Sequence, residues 1–463
     1  MKQLTRRRFL AKTALGTMLG ALNPVLALSS QAAASSFFPA STRWHNWSGA
    51  LAANPSARFS PTNDQQLADF LASTKGVLRP VGSGHSFAPL GPTDGVLVVL
   101  DQLTGLRSYD TANNTATFGA GTRLGDMGAP LASINQAMIN LPDIDRQTLA
   151  GATSTATHGT GINFKCLSAY ITDLRLVTPN GEVHDVNARS APALFDAARV
   201  GLGALGVVSQ ITLQNTQRYR LKQTSWVDKT EDLLRDFDQQ AASHRHFELF
   251  PLTHSDFSIA LATDATDEPI NNPPASPEEE AGFDLAMQGW MKVPPSLRRP
   301  LVNGLAEQIG FSERVDESYK ILTNIRNTRF NEMEYAVPLK NGAACLQEIL
   351  QTISDAAVDV VFPLEYRYVS RDDTMLSMSS GDEDHAAISI HRIASEDYRP
   401  YFNLIEPIFW KYGGRPHWGK VHSLGADQLM ALYPRFDEFR EIRAQLDPEG
   451  RLLNEHLRKL FGL

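Results

Sequence analysis

Cysteine is nearly missing from this chain: Cys166 and Cys345 are the only two in 463 residues. Two thiols allow at most one disulfide and exclude a thiolate metal cluster. His244-x-His246 and the pair His417 and His422 lack partner ligands at usable spacing, so no metal site is expected. Beyond the N-terminus no stretch approaches the ~20 apolar residues that a membrane-spanning helix needs. A basic excess is absent too, because 43 basic against 51 acidic residues give a formal net charge of −8. That balance argues against a nucleic-acid partner and against anionic membrane surfaces. The hydrolase elbow G-x-S-x-G does not occur.

What is present is enough for a folded protein of two or three domains. The apolar share of 42% and charged share of 20% are ordinary for such a chain. Residues 1–34 stand apart, with five basic and no acidic side chains. Arg6, Arg7 and Arg8 precede Phe9-Leu10, a modest apolar run and the small residues "QAAASS". The run suits a cleaved signal better than an anchor. Its Arg-Arg-x-Phe-Leu arrangement resembles the twin-arginine export signal, which implies a periplasmic or secreted protein that is folded before it crosses the membrane.

Residues 35–217 have the punctuation of mixed helices and short strands. "QQLADFLAST" and "ALFDAARVG" read as helices, and "GVLRPVGSG", "GVLVVLDQLTG" and "GVVSQITLQNT" as strands. "ITDLRLVTPNGEVHDV" reads as a hairpin around Pro179-Asn180-Gly181. Few strand-helix-strand crossovers are visible, which favours α+β over a doubly wound sheet. From 218 onward longer helical stretches alternate with strands such as "HRHFELFPL", "EMEYAVPL", "VFPLEYRYVS" and "HAAISIHRI". The segment 264–282, rich in proline and acid, reads as an exposed loop.

Three glycine-rich stretches compete for a cofactor role. "GLGALG" at 201–206 matches G-x-G-x-x-G, but a helix precedes it and a strand follows. The dinucleotide fingerprint needs the opposite order, so that reading is rejected. "GSGHS" at 82–86 and "AGATSTATHGTG" at 150–161 each place small residues after a strand, where backbone N–H groups can converge on an anion.

The order of these turns, together with "HNWSGA", "EMEYAVP", "RPHWGKVH" and "LDPEGRLLNEHL", resembles the vanillyl-alcohol-oxidase-type flavoproteins. Within them the chain is similar to the aldonolactone oxidases (gulono- and arabinono-1,4-lactone oxidases) and alditol oxidases, over nearly its whole length. The resemblance implies an α+β fold: a two-subdomain FAD-binding domain of the PCMH type, plus an α+β substrate domain with an antiparallel sheet. The expected division is a signal at 1–34, the FAD-binding domain at 35–217, the substrate domain at 218–415, and a C-terminal segment at 416–463 returning to the flavin.

The same resemblance implies site residues. Val81, Gly82, Ser83, Gly84, His85 and Ser86 would hold FAD, with His85 bonded covalently to it. Gly151, Thr153, Ser154, Thr157, His158, Gly159 and Gly161 would line the diphosphate and ribityl chain, Gly206 and Val208 the adenine side, and Pro142 the flavin edge. Glu365 and Arg367, two apart on a strand and so on one face, would be catalytic together with Lys420. Asp143, Ser389, His391 and His417 would contact substrate. The implied reaction is oxidation of a CH–OH group of a polyol or lactone by FAD, with oxygen as acceptor and hydrogen peroxide as product. A dehydrogenase passing electrons to a cytochrome or quinone, and a flavin-binding electron carrier without turnover, stay open. Where lactone oxidases have an aromatic residue followed by Arg-Pro, this chain has His391-Arg392-Ile393. That departure leaves the choice between lactone and alditol open.

Overall fold

The computed structural model describes residues 43–273, 289, 291–306, 310–324 and 328–463. The expected signal and residues 274–282 of the acidic loop at 264–282 lie outside the described residues, while 264–266 close a strand rather than a loop.

The first half opens on β1 (Ala57–Phe59), α1 (Asp64–Ser73), β2 (Leu78–Val81) and β3 (Val96–Val99). Asn63 caps α1 by accepting from the Gln66 N–H, and the helix buries Leu67, Ala68 and Leu71. These strands form a small parallel sheet in the order β1-β3-β2, the one crossover unit of this half. Then come β4 (Leu106–Asp110), β5 (Thr115–Gly119), α2 (Leu149–Ser154), β6 (Ile171–Val177), β7 (Val183–Asn187), α3 (Pro192–Arg199) and β8 (Val207–Gln214). The five strands pair antiparallel in the order β7-β6-β8-β5-β4. The hairpin around Pro179-Asn180-Gly181 forms, with Val177 opposite Val183 and Gly181 at φ +87°. The "GLGALG" run is a turn from α3 into β8, the reverse of the dinucleotide order.

One expectation needs correction. The run 150–161 does not simply follow a strand; its first part is helix α2. Thr148 caps it by accepting from the Gly151 N–H at 3.3 Å, and burial of Leu149 and Ala152 holds the short helix in place.

The second half is built on one antiparallel sheet. Its strands are β9 (Arg220–Lys229), β10 (His246–Pro251), β11 (Phe257–Thr266), β12 (Ser312–Glu317), β13 (Phe330–Pro338), β14 (Glu365–Val369), β15 (His385–Ile393) and β16 (Arg415–Pro416). Their order is β12-β9-β11-β10-β14-β15-β13-β16. Central strands are buried on both sides, yet their sequences still alternate. Met333, Tyr335, Tyr366, Ile388 and Ile390 enter the main apolar core. Glu332, Glu334, Glu365, Arg367 and Ser389 share the opposite face. Register aligns them: Ser389 lies opposite both Glu334 and Glu365, His391 opposite Glu332, and Glu248 opposite Arg367.

The last segment returns to the first half. The Phe87 N–H donates to the Gly419 carbonyl at 2.7 Å. Asn454, the cap of α4 (Glu455–Phe461), donates from Nδ2 to the Pro89 and Pro92 carbonyls at 2.9 Å each. Buried Arg79 donates to the carbonyls of Leu90, Leu202, Gly203 and Leu452, joining three distant stretches.

Candidate active site

Strand β2 runs straight into the 82–86 turn. A Cβ on Gly82 would meet Thr148 Oγ1 at 2.2 Å, so only glycine lets the turn approach the cap of α2. Gly84 sits at φ +71°. The Trp47 N–H holds the Gly84 carbonyl at 2.7 Å, and Asn46 Nδ2 holds the Ser86 carbonyl at 3.0 Å. The His85 ring stacks on Trp47 with centroids 5.2 Å apart. Burial, with repulsion from Lys420, Arg123 and Arg146, pushes its pKa down to about 4. The imidazole is therefore neutral at neutral pH, with a lone pair free on one nitrogen.

This turn borders a cleft of about 320 Å³. Of the expected cofactor residues, Val81 to Ser86, Gly151, Ser154, Gly206 and Val208 line it. Thr153, Thr157, His158, Gly159, Gly161 and Pro142 do not. Thr153 Oγ1 donates to the Leu149 carbonyl, and Thr157 Oγ1 accepts from Gln147 Nε2, both at 3.0 Å. A Cβ on Gly159 would meet the Leu141 carbonyl at 2.2 Å, so that turn packs against the loop of buried Pro142. The Gly161 N–H donates to the Tyr368 carbonyl at 2.8 Å, tying the second turn to the sheet. The donor set fits FAD. Ser83 Oγ is buried without a partner among the described residues, and it lines the cleft beside the glycine backbone.

At the cleft's His85 end stands the polar face of the sheet, organised around a residue the sequence reading missed. Glu334 Oε1 bonds His158 Nε2 at 2.7 Å, while Oε2 accepts from Arg367 Nη2 at 3.0 Å and from Ser389 Oγ at 2.7 Å. Burial alone would raise its pKa, but His158 and Arg367 hold it well below the usual carboxylate range. Glu365 Oε2 lies 3.3 Å from Arg367 Nη2. These acids keep Arg367 charged despite its burial. Its Nε–H is buried and has no partner among the described residues.

Lys420 pairs with a second missed acid, Glu332, whose pKa is held at about 2 against its burial by Lys420 and His391. His391 Nε2 lies 3.6 Å from Glu332. His417 Nδ1 accepts from the Gly419 N–H at 2.9 Å and so shapes the turn that presents Lys420. A third missed acid, Glu248, accepts from Thr160 Oγ1 at 2.6 Å, and burial with the nearby Glu365 raises its pKa to about 7. Asp143 accepts from the Asn324 side chain at 2.6 Å, linking the 141–147 loop to the second half. Glu332 and Glu334, two apart in "EMEYAVP", and the lone Glu248 among apolar residues in "HFELFPL" were the available signal, but only strand pairing shows which face they meet.

Cleft and polar face are physically joined. Trp47 packs edge-on against Phe330 at 5.1 Å, Phe330 against His391 at 5.1 Å, and Lys420 Nζ lies 5.2 Å from the Phe87 ring centre. A glycine-walled cleft ending on a neutral histidine, joined through aromatic rings to a face that holds a fixed arginine and a lysine, is the arrangement of an FAD-linked oxidoreductase acting on CH–OH donors.

Comparison with known proteins specifies the family. The family model for D-arabinono-1,4-lactone oxidase matches residues 211–460, and that for an FAD binding domain matches residues 55–187. The chain belongs to the D-arabinono-1,4-lactone oxidase family of FAD-dependent oxidoreductases. It is 36% identical over 431 residues to L-gulono-1,4-lactone dehydrogenase of Mycobacterium tuberculosis, covering 90% of this chain and 99% of that one. L-gulonolactone oxidase of Bos taurus is 28% identical, covering 90% and 98%. Alditol oxidase of a Streptomyces species is 29% identical, covering 91% and 99%. Cholesterol oxidase of Brevibacterium sterolicum shares the fold, with a TM-score of 0.75 at 16% identity over 94% of this chain and 100% of that one.

Proposed function

We propose that the chain oxidises one CH–OH group of an aldono-1,4-lactone or alditol, with oxygen as final acceptor and hydrogen peroxide as product. The observation that carries this reading is a pair of fixed cations at one polar face: Arg367 held by Glu334 and Glu365, and Lys420 held by Glu332. Bound FAD supplies the hydride acceptor, N5. Glu365 orients the substrate hydroxyl and takes its proton as the carbon loses hydride. Arg367, held by Glu334, and Lys420, held by Glu332, stabilise the negative charge that develops on that oxygen. Ser389 acts through Glu334 as a positioning residue, and His417 does so through the Gly419 turn. His391 and Asp143 border the substrate space. His85, neutral and at the end of the cleft, would be the residue to hold the flavin covalently through a ring nitrogen.

By this reading residues 35–217 form the FAD-binding domain, 218–415 the substrate domain, and 416–463 the segment that closes over the flavin. Residues 1–34 direct export through the twin-arginine machinery to the periplasm or beyond. Replacing Arg6 and Arg7 by lysine should retain the protein in the cytoplasm.

One comparison favours a second acceptor: the 36% identical relative is named a dehydrogenase. Anaerobic mixing with aldonolactones and alditols tests both readings. Flavin bleaching by one of them, followed by peroxide when air is admitted, supports the oxidase. Bleaching without peroxide, relieved by a dye acceptor, supports the dehydrogenase; no bleaching by any defeats the substrate assignment. Flavin that stays with acid-precipitated protein, and is released from His85→Ala, supports the covalent bond.

A further inference from the structure

Glu248 has no part in the chemistry set out above, yet it shares the polar face with every residue that does. It stands on β10 directly opposite Arg367 on β14. One strand spacing, about 4.8 Å, separates their backbones. His391 on β15, Glu332 on β13 and Lys420 gather on the other side of Arg367. The face therefore has a lysine–glutamate ion pair at one end and Glu248 at the other, with Arg367 between them.

The two oxygens of Glu248 differ. Oε2 is fixed by Thr160 at 2.6 Å. Oε1 makes no hydrogen bond among the described residues, and it is not among the sealed, unsatisfied atoms of the interior. Glu248 lies deep in the molecule and yet remains half-buried rather than fully so. Part of it is therefore open to a small molecule.

We propose that Glu248 is a specificity-determining residue, whose free carboxyl oxygen hydrogen-bonds a substrate hydroxyl remote from the carbon being oxidised. This rests on the polyol or lactone reading above. Such substrates carry hydroxyls on successive carbons, so one anchored at Arg367 presents another toward β10. A carboxyl at this point can accept a hydrogen bond and, with its pKa raised to about 7, can also donate one. Groups facing it are Arg367 and Glu365 on β14, Thr160 from the second glycine turn, and Asp143 from the 141–147 loop. With three acids around one cation, a hydroxyl is accepted there and a substrate carboxylate is repelled.

The test compares wild type, Glu248→Gln and Glu248→Leu in anaerobic flavin reduction by alditols from glycerol to sorbitol. Their visible flavin spectra and melting temperatures report whether each variant folds and holds cofactor. Glu248→Leu should lose about 10- to 100-fold in kcat/KM for the longer alditols, mostly through KM, because a buried hydroxyl is left unpaired. Glycerol should change by about 2-fold or less. Glu248→Gln, which keeps the shape and a hydrogen-bonding end, should restore most of the loss. An equal loss on every alditol, or none on the long ones, overturns the assignment of Glu248 alone. Failure of wild type to be reduced by any alditol or lactone overturns the functional reading, and this inference with it.

Discussion

Arg367 and Glu334 meet across an intervening strand: Nη2 donates to Oε2 at 3.0 Å, from β14 to β13, over Ser389 of β15. Both side chains are at most 8% exposed, so each depends on the other to be charged where it stands.

Replacing Glu334 should therefore reach further than one hydrogen bond. Glu334→Gln keeps the shape but leaves Arg367 and His158 without their shared anion. Stability should fall by about 3 kcal/mol, read from the urea midpoint. Anaerobic flavin reduction should slow by about 100-fold, because Arg367 is no longer held in position. An unchanged reduction rate would remove Glu334 from the positioning machinery.

Lys420 and Glu332 form a pair that a double-mutant cycle can isolate. Lys420→Met leaves a carboxylate that is only 4% exposed without its cation, and should cost about 3 kcal/mol. Glu332→Gln in the same chain should recover at least about 1 kcal/mol of that loss in melting experiments. Flavin reduction should stay slow in both, since the catalytic cation is gone. Recovery of rate by the double variant would contradict the role given to Lys420.

Gly82→Ala drives a methyl group into Thr148 Oγ1, 2.2 Å away. The turn must move from the cap of α2, and the flavin incorporated per protein should drop at least about 10-fold. Adding Thr148→Ala removes the clash but also the cap, at a cost of about 1 kcal/mol. The double variant should regain part of the flavin content and none of the lost cap energy.

Acid should destabilise the protein before ordinary carboxylates titrate. Burial lowers the pKa of His246, His385 and His456 to about 4, and of His417 and His422 to about 3. His85 behaves alike, at about 4. Unfolded, these rings take up protons as pH falls through about 6.5, while the folded rings stay neutral down to about 4. The unfolded state then binds more protons, so stability falls across that window. Glu248, raised to about 7, acts in the opposite sense, since it stabilises at low pH and loses that contribution as pH rises. Six histidines outweigh one carboxyl, and the melting temperature should drop by roughly 5–10 °C from pH 6.5 to 4. A flat profile would mean that those rings accept protons within the fold.

Much of this was legible in the residues. Period-two alternation placed Glu365 with Arg367 and Ser389 with His391, and the structure finds each pair on one face. The glycine turn at 82–86 announced the cleft, and the order around "GLGALG" excluded the dinucleotide fold. Glu248, Glu332 and Glu334 stayed hidden for a physical reason. An acid in a strand reads the same whether its face meets water or an arginine two strands away. Only long-range pairing decides, and no local pattern encodes which strands will be neighbours. Helix α2 was missed because Ala, Gly, Thr and Ser favour turns locally, while burial of Leu149 and Ala152 tips the segment into a helix.

The hydrogen bonds that Arg79, Phe87, Pro89 and Pro92 make with Leu452, Gly419 and Asn454 have a temporal meaning. A ribosome releases residues 55–187 long before it makes residues 416–463. The nascent chain therefore displays the glycine turn at 82–86 before the segment that braces its flanks at Arg79, Phe87 and Pro89 has been made. The final tenth of the polypeptide is thus the last brace of that turn to be synthesised.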